Sequence, residues 1–396
     1  MTLRTLFSAG IFLGSFLLFQ LQLLTGKLLL PGFGGDPLVW NSCILFFQAV
    51  LLAGYIYAHG VTSLCAKYQR LLHVVLLLCS FPLLLGFFPA GWKPADGHVS
   101  PLEIMQLLGS AIGLPYLLLS ASAPLLQSWH VQRFPGISPW PLYAISNGAS
   151  LLALVSYPLL VEPLLTLSAQ SLAWKWGFGF YIILCGCCAL AVRTERDNVA
   201  CKITEDSHGI FTPVPISTLN LLLWFLLSAC GSAMLLVVTN DLSTSIAPVP
   251  LIWMMPLAVY LLTFIVCFAR TRSYSRVVWG IVLVFSVSCL FAFRILAIPV
   301  MPVWQILLNL LMLAGSCMFL HGELVSLRPD RRRLTVFYLS ITAGGALGSA
   351  FLTLAAPVLF SRVLGLPVVL AVSCVALILS FIRPVGRKTS SGEMLL

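Results

Sequence analysis

The sequence predicts an all-α polytopic membrane protein, and three observations carry that prediction. Hydrophobic residues make up 60% of the 396 and charged residues only 9%, against about 25% charged in an ordinary soluble domain. Apolar runs of roughly 20 residues, the length a helix needs to cross a bilayer, recur from one end of the chain to the other. Lys and Arg lie mostly in the short segments beside these runs, and their density alternates from one segment to the next. A soluble core cannot absorb so much apolar surface, because its outside must still be wetted. Membrane strands are excluded as well, since the runs are continuous rather than alternating.

The spans read as Leu6–Leu24, Leu38–His59, Leu71–Phe88, Ile104–Ser128, Leu142–Val161 and Trp174–Val192 in the first half. The second half gives Leu219–Thr239, Pro250–Phe268, Val277–Ile295, Met301–Leu320, Val336–Ala356 and Pro367–Ile382. The first run is too long for the apolar region of a signal peptide and lacks a small-x-small cleavage site, so it is expected to be the first span. The fourth carries Pro115 and Pro124, and a kink is expected there.

Orientation follows from the basic residues. Of the 22 Lys and Arg, only Lys27, Lys93, Lys175, Arg294 and Arg362 fall on one side. The others, from Arg4 through the Arg328–Arg333 cluster to Lys388, collect on the opposite side. The positive-inside rule then places both termini in the cytoplasm, in what is expected to be the bacterial inner (cytoplasmic) membrane. The net charge of +10 is thereby read as topogenic, and no nucleic-acid partner is expected. The bilayer is the expected partner. The twelve cysteines show neither metal nor disulfide spacing, and Cys185, Cys187 and Cys188 read as small packing residues within a span. No metal, no cofactor and no catalytic residue is expected, so the chain does not read as an enzyme.

The longest hydrophilic stretch separates six spans from six. The expected organisation is a six-helix bundle over 1–193, a cytoplasmic linker over 194–216 and a second six-helix bundle over 217–396. The halves echo each other. Pro37-Leu-Val-Trp40 opens the second span and Pro250-Leu-Ile-Trp253 the eighth. Tyr143 precedes the small residues Ser146, Gly148, Ala149 and Ser150, as Tyr338 precedes Ala343, Gly344, Gly345 and Gly348. Paired echoes in corresponding spans predict a parallel six-plus-six repeat, a major-facilitator-like arrangement.

Several strings specify the resemblance further. They are Lys27-Leu-Leu-Leu-Pro-Gly-Phe-Gly-Gly35, Phe46-Phe-Gln-Ala-Val-Leu-Leu-Ala-Gly-Tyr55, Ser122-Ala-Pro-Leu-Leu-Gln127 and Leu242-Ser-Thr-Ser-Ile-Ala247. His321-Gly-Glu-Leu324 with Arg328-Pro329, Phe337-Tyr338 and Gly344-Gly345 complete them. In order and over nearly the whole chain, they resemble the membrane half of the fused major-facilitator/spermidine-synthase-like proteins of bacteria. The family usually continues into an aminopropyltransferase-like domain, and no part of these 396 residues is expected to form one. Ser245 stands where the resemblance implies an acid, and the loop from Gly60 to Arg70 lacks the Gly-Asp-Arg-Gly-Arg string of ordinary facilitators.

Polar residues within spans are costly and mark candidate sites. Lys27 and Asp241 occupy matching places before Trp40 and Trp253, and are expected to form an outer gate between the first and seventh helices. Gln127 and His130 end the fourth helix as His321 and Glu323 end the tenth, and the four are expected to form a cytoplasmic clasp. Gln20, Gln22, Thr25, Asn147 and Asn309 are candidates to line a central cavity. Gln20 and Gln22 lie about 200° apart on a helix, so one of them is expected to be a packing residue. Gly344, Gly345 and Gly348 are expected to let the eleventh helix approach a neighbour closely. Glu103, Glu162, Lys175 and Arg294 read as interfacial.

The expected function is that of a secondary carrier for a small polar solute, polyamine-like if the synthase link is informative. The alternative is a noncatalytic membrane partner that anchors a separate spermidine-synthase-like enzyme at the cytoplasmic face, with Arg328–Arg333 as the docking surface.

Overall fold

The computed structural model describes residues 2–33, 37–84, 100–192, 217–245, 250–269, 274–296, 301–330 and 333–352. The twelfth expected span, the 194–216 linker, Arg362 and Lys93 lie outside them. Eleven principal helices are described: α1 (Leu3–Phe33), α2 (Pro37–Val61), α3 (Ala66–Ser80), α4 (Pro101–Arg133), α5 (Trp140–Ser156), α6 (Leu167–Ala191), α7 (Thr218–Ser245), α8 (Pro250–Ala269), α9 (Arg276–Ile295), α10 (Pro302–Ser326) and α11 (Leu334–Ala350). Each corresponds to one expected span. Eight are long and apolar enough to cross a membrane, and Met254–Ala269 within α8 and Leu334–Ala350 are shorter apolar helices. The protein is a multi-pass membrane protein.

Among the helix ends that differ from the sequence expectation, both ends of α3 and the last end of α5 do so for identifiable reasons. α3 begins at Ala66 rather than Leu71, taking Lys67, Gln69 and Arg70 into the helix. Gln69 makes this work by donating from Nε2 to the carbonyls of Thr62 (3.1 Å) and Leu64 (2.7 Å). The same helix stops at Ser80: Phe81 keeps a helical backbone with its N–H on Leu78 O, but Pro82 has no N–H to continue the ladder. A 3₁₀ turn, Pro82–Leu84, follows. α5 runs on through a π-helical turn, Tyr157–Val161, and a last turn, Glu162–Leu164. Pro158 has no N–H for the Leu154 carbonyl, so the ladder slips, and the Glu162 N–H bonds to Tyr157 O. α4, in contrast, remains one assigned helix past Pro115 and Pro124.

The helix pairings carry the repeat. α1 packs on α4, α5 and α6, and α2 on α4; in the second group α7 packs on α10 and α11, and α8 on α10. Adding six to each number maps α1·α4, α1·α5, α2·α4 and α3·α4 onto α7·α10, α7·α11, α8·α10 and α9·α10. Between the groups, α5 packs on α8 and α2 on α11, and the same shift exchanges these two contacts. An arrangement that maps onto itself in this way has a pseudo-two-fold axis between the groups.

The apolar surface follows the same order. α3 exposes Leu71, Leu72, Val75 and Leu78; α6 exposes Trp176, Phe180 and Ile183; α9 exposes Val277, Ile281, Val284 and Phe285. These stripes at helical spacing face outward, where only lipid could cover them without cost. The interior closes by close approach of backbones. A Cβ on Gly344 would strike the Phe225 carbonyl oxygen and sit 3.0 Å from its carbon. One on Gly348 would strike Ala229 O and sit 2.8 Å from its Cα. Gly345 faces Ser232 Oγ at 3.0 Å by the same measure. These three glycines let α11 lie against α7, and Ser228 Oγ, donating to Ile341 O at 2.7 Å, fixes the register.

Candidate functional site

The densest side-chain chemistry lies on the pseudo-two-fold axis, where α2, α5, α8 and α11 meet. Tyr143 opens α5 and Tyr338 opens α11, so the repeat places them at equivalent positions on either side of the axis. Their rings stack at 5.0 Å with 8° between planes. Tyr338 donates its hydroxyl to Gln127 Oε1 at 2.6 Å, a bond between the two helix groups in a setting that excludes water. Tyr143 also packs on Phe268 at 4.5 Å and Phe264 at 5.8 Å. Trp140 lies edge-on to Phe337 at 5.6 Å. Arg328 sits over the Trp140 ring at 5.5 Å, and His59 Nδ1 meets Thr335 Oγ1 at 3.0 Å. All of these contacts fall at one end of the helices, the end where α1 begins. They form an aromatic layer closing that end between the groups.

Deeper along the axis the polar groups are hydroxyls and amides. Tyr55 on α2 lies beside Thr342 on α11. Gln22 Nε2 donates to Tyr116 OH at 2.8 Å, and Tyr260 OH pairs with Ser232 Oγ at 3.3 Å. No hydrogen-bond partner of Tyr55, Tyr116, Tyr260 or Tyr338 among the described residues is charged. Such a lining can exchange hydrogen bonds with a small polar molecule, and its ring faces attract cations without a carboxylate.

The sequence-predicted residues are distributed differently from the expectation. Gln20 is buried and donates to Ala153 O at 3.2 Å, packing α1 on α5; Gln22 points the other way, to Tyr116 on α4. The two do face apart, and Gln20 is the packing residue. Thr25 is fully buried and bonds its own Leu21 carbonyl at 2.6 Å. Asn147 donates to Tyr143 O at 2.9 Å, and the buried Asn309 to Gln305 O at 3.0 Å. Back-bonding one turn along the same helix satisfies these polar groups locally.

The expected clasp needs correcting. Gln127 does join the two groups, but through Tyr338. His130 packs within the first group, edge-on to Phe7 at 5.7 Å and tilted on Phe134 at 5.1 Å. His321 meets Thr263 Oγ1 on α8 at 3.0 Å and stacks on Phe264 at 3.7 Å. Glu323, two residues on, faces α9, where Arg276 donates Nε and Nη2 to its two oxygens at 2.7 and 2.8 Å. Tyr274 adds a third bond at 3.2 Å. Residues two apart on a helix point to opposite sides, so the pair could not serve one clasp.

The outer gate is corrected too. Lys27 makes its ion pair with Glu162, at the end of the turn that extends α5. Both belong to the first helix group, because the π-helical turn carries the end of α5 beside α1. Asp241 lies on α7, which packs on α8, α10 and α11. Glu162, read from sequence as merely interfacial, is therefore the partner of Lys27.

The axial tyrosines were missed as a site. The available signal was the repeat itself: equivalent residues beside a two-fold axis can meet, and Tyr143 and Tyr338 were already recognisable as equivalents.

No family model matches the chain, and no curated protein matches it by sequence. Solved structures do match it over nearly its whole length. A bacterial homologue of the iron transporter ferroportin, in an outward-facing state, aligns with a TM-score of 0.62 at 17% identity, covering 96% of this chain and 99% of the other. The proton:xylose symporter XylE of the major facilitator superfamily, bound to 6-bromo-6-deoxy-D-glucose, aligns at 0.58 and 12% identity, covering 95% of each chain. The human organic anion transporter MFSD10 aligns at 0.53 and 15%, covering 96% of this chain and 99% of the other. At these identities the likeness establishes the fold, which is that of the major facilitators.

Proposed function

We propose that this protein is a secondary carrier that moves a small polar solute along the axis between its two helix groups. The observation that carries the reading is the aromatic layer of Trp140, Tyr143, Phe268, Phe337 and Tyr338 at one end of that axis, with uncharged polar groups deeper within. A layer held by ring contacts and single hydrogen bonds can separate and re-form at modest cost, as alternating access requires. The similar solved structures carry printed names as different as a xylose symporter, an iron transporter homologue and an organic anion transporter. The fold therefore suits carriers without fixing the solute.

The solute class we favour is a polyamine-like amine. The resemblance to the synthase-fused proteins motivates it, and the faces of Tyr55, Tyr116, Tyr143 and Tyr260 are the groups that would attract an ammonium. The test is uptake into proteoliposomes of spermidine beside a neutral sugar and an organic anion. Saturable spermidine uptake, weakened by Tyr143→Ala or Tyr260→Ala, supports the reading. Uptake of the sugar or anion alone would remove the amine assignment. Absence of any uptake, together with capture of a soluble synthase-like enzyme, would favour the anchor role instead.

A further inference from the structure

Away from the axis, the first helix group carries a second feature, with no role in the carrier reading. Arg4 on α1 and Arg133 at the end of α4 place their guanidinium carbons 5.7 and 5.5 Å from the centroid of the same ring, Phe134. Arg133 also donates Nε to the Ala191 carbonyl at the end of α6, at 3.1 Å. Neither arginine has a carboxylate partner among the described residues. The contrast is with Arg276, for which the chain supplies Glu323. Two cations sharing one ring repel each other, and among the described residues no carboxylate offsets them, which leaves this corner of the membrane interface attractive to an anion.

Directly below this pair an apolar groove of about 480 Å³ runs between α1, α5 and α6, lined by Ser8, Phe12, Ile145, Phe180 and Leu184 among others. Helical spacing joins the groove to the arginines. Arg4, Ser8 and Phe12 are four residues apart on one stripe of α1, and Phe180, Leu184 and Ala191 share one stripe of α6. From Arg4 to Phe12 the helix descends about 12 Å at 1.5 Å per residue. A cationic head above an apolar groove of that depth matches one molecule: a lipid with a negative headgroup and a chain hanging beside the helices.

We infer that this cleft binds one anionic phospholipid of the leaflet at the N-terminal end of α1, its phosphate at Arg4 and Arg133 and one acyl chain in the groove. Charge complementarity selects the anionic headgroup, and the bilayer setting supplies the chain. The site is formed within the first helix group alone, so it does not depend on transport.

The test uses the whole protein, purified and returned to nanodiscs of phosphatidylcholine with increasing phosphatidylglycerol. Retained lipid is counted by native mass spectrometry. Phosphatidylglycerol carrying a photoreactive group in its acyl chain is the second probe. The unmodified protein should prefer phosphatidylglycerol and crosslink on the α1 and α6 segments containing Phe12 and Phe180. Arg4→Gln, at an exposed position, should weaken the preference by about fivefold, the contribution of one basic residue at a charged membrane surface. Lys67→Gln, an exposed lysine on α3, should leave it unchanged. Ala9→Phe should reduce the crosslink by filling the groove. Equal retention of the two lipids overturns the site, as does crosslinking elsewhere. An equal effect of Lys67→Gln would show diffuse surface charge instead, and equal protection by inorganic phosphate would show an anion site without a chain.

Discussion

Tyr143 and Tyr338 lie face to face across the pseudo-two-fold axis, 5.0 Å apart with planes 8° from parallel. They are equivalent residues of the repeat, each at the start of a small-residue helix, and each brings aromatic neighbours from its own side. The stack therefore marks both the symmetry of the fold and the point where the helix groups close.

Loosening that stack should open the layer. Asn147→Cys places a thiol one helical turn inward from Tyr143. In a Tyr143→Ala background, maleimide added from the α1 N-terminal side should label it roughly tenfold faster, as expected for losing about 1.4 kcal/mol of ring contact. Tyr338→Phe, which removes only the hydrogen bond to Gln127, should have a smaller effect, within about 1 kcal/mol. Identical labelling in all backgrounds would show that the layer does not control access.

The glycines of α11 should be intolerant of volume. Gly348→Leu forces a side chain against the Ala229 backbone of α7, and overpacking of this kind costs about 1–3 kcal/mol. The detergent melting temperature should fall, whereas Phe351→Leu at a more exposed position should leave it nearly unchanged. Equal melting curves would refute the close-approach assignment.

The two ion pairs should differ sharply in worth. Lys27 and Glu162 are 39% and 40% exposed, so Lys27→Ala should cost less than about 1 kcal/mol. Glu323 is 2% exposed while Arg276 is 49% exposed. Arg276→Ala removes the bidentate cation from a buried carboxylate and should cost about 3 kcal/mol, the low end for a broken buried pair because the arginine is half-solvated. Adding Glu323→Gln should recover much of that loss in chemical-denaturation or thermal-melt measurements. A single mutant as stable as the parent would show that the pair is not holding α9 to α10.

Topology is testable by accessibility. Cysteines introduced at Ser207 and Ser391 should react with membrane-impermeant thiol reagents only from the cytoplasmic side, as the distribution of Lys and Arg requires. Labelling of either from the opposite side would reverse or break the assignment.

Composition and periodicity by themselves determined the membrane class, the eleven described helices to within a few residues at most ends, and the repeat. The bilayer accounts for this, since satisfying the backbone inside lipid leaves little choice but helices of a set length. The small-residue pattern of Gly344 and Gly348 was legible for the same reason: close packing in lipid requires it. Tertiary structure decided which polar groups face one another. Lys27 could have met any acid near its level, and a proline-induced π-helical turn brought Glu162 rather than Asp241. Gln22 and Tyr116 are 94 residues apart, and Gln127 and Tyr338 are 211 apart. Sequence spacing fixes side-chain direction within one helix, but the partner across a gap depends on how each helix is rotated about its own axis. Packing of the whole bundle sets that rotation, so the tyrosine-lined axis emerged only once the helices were assembled.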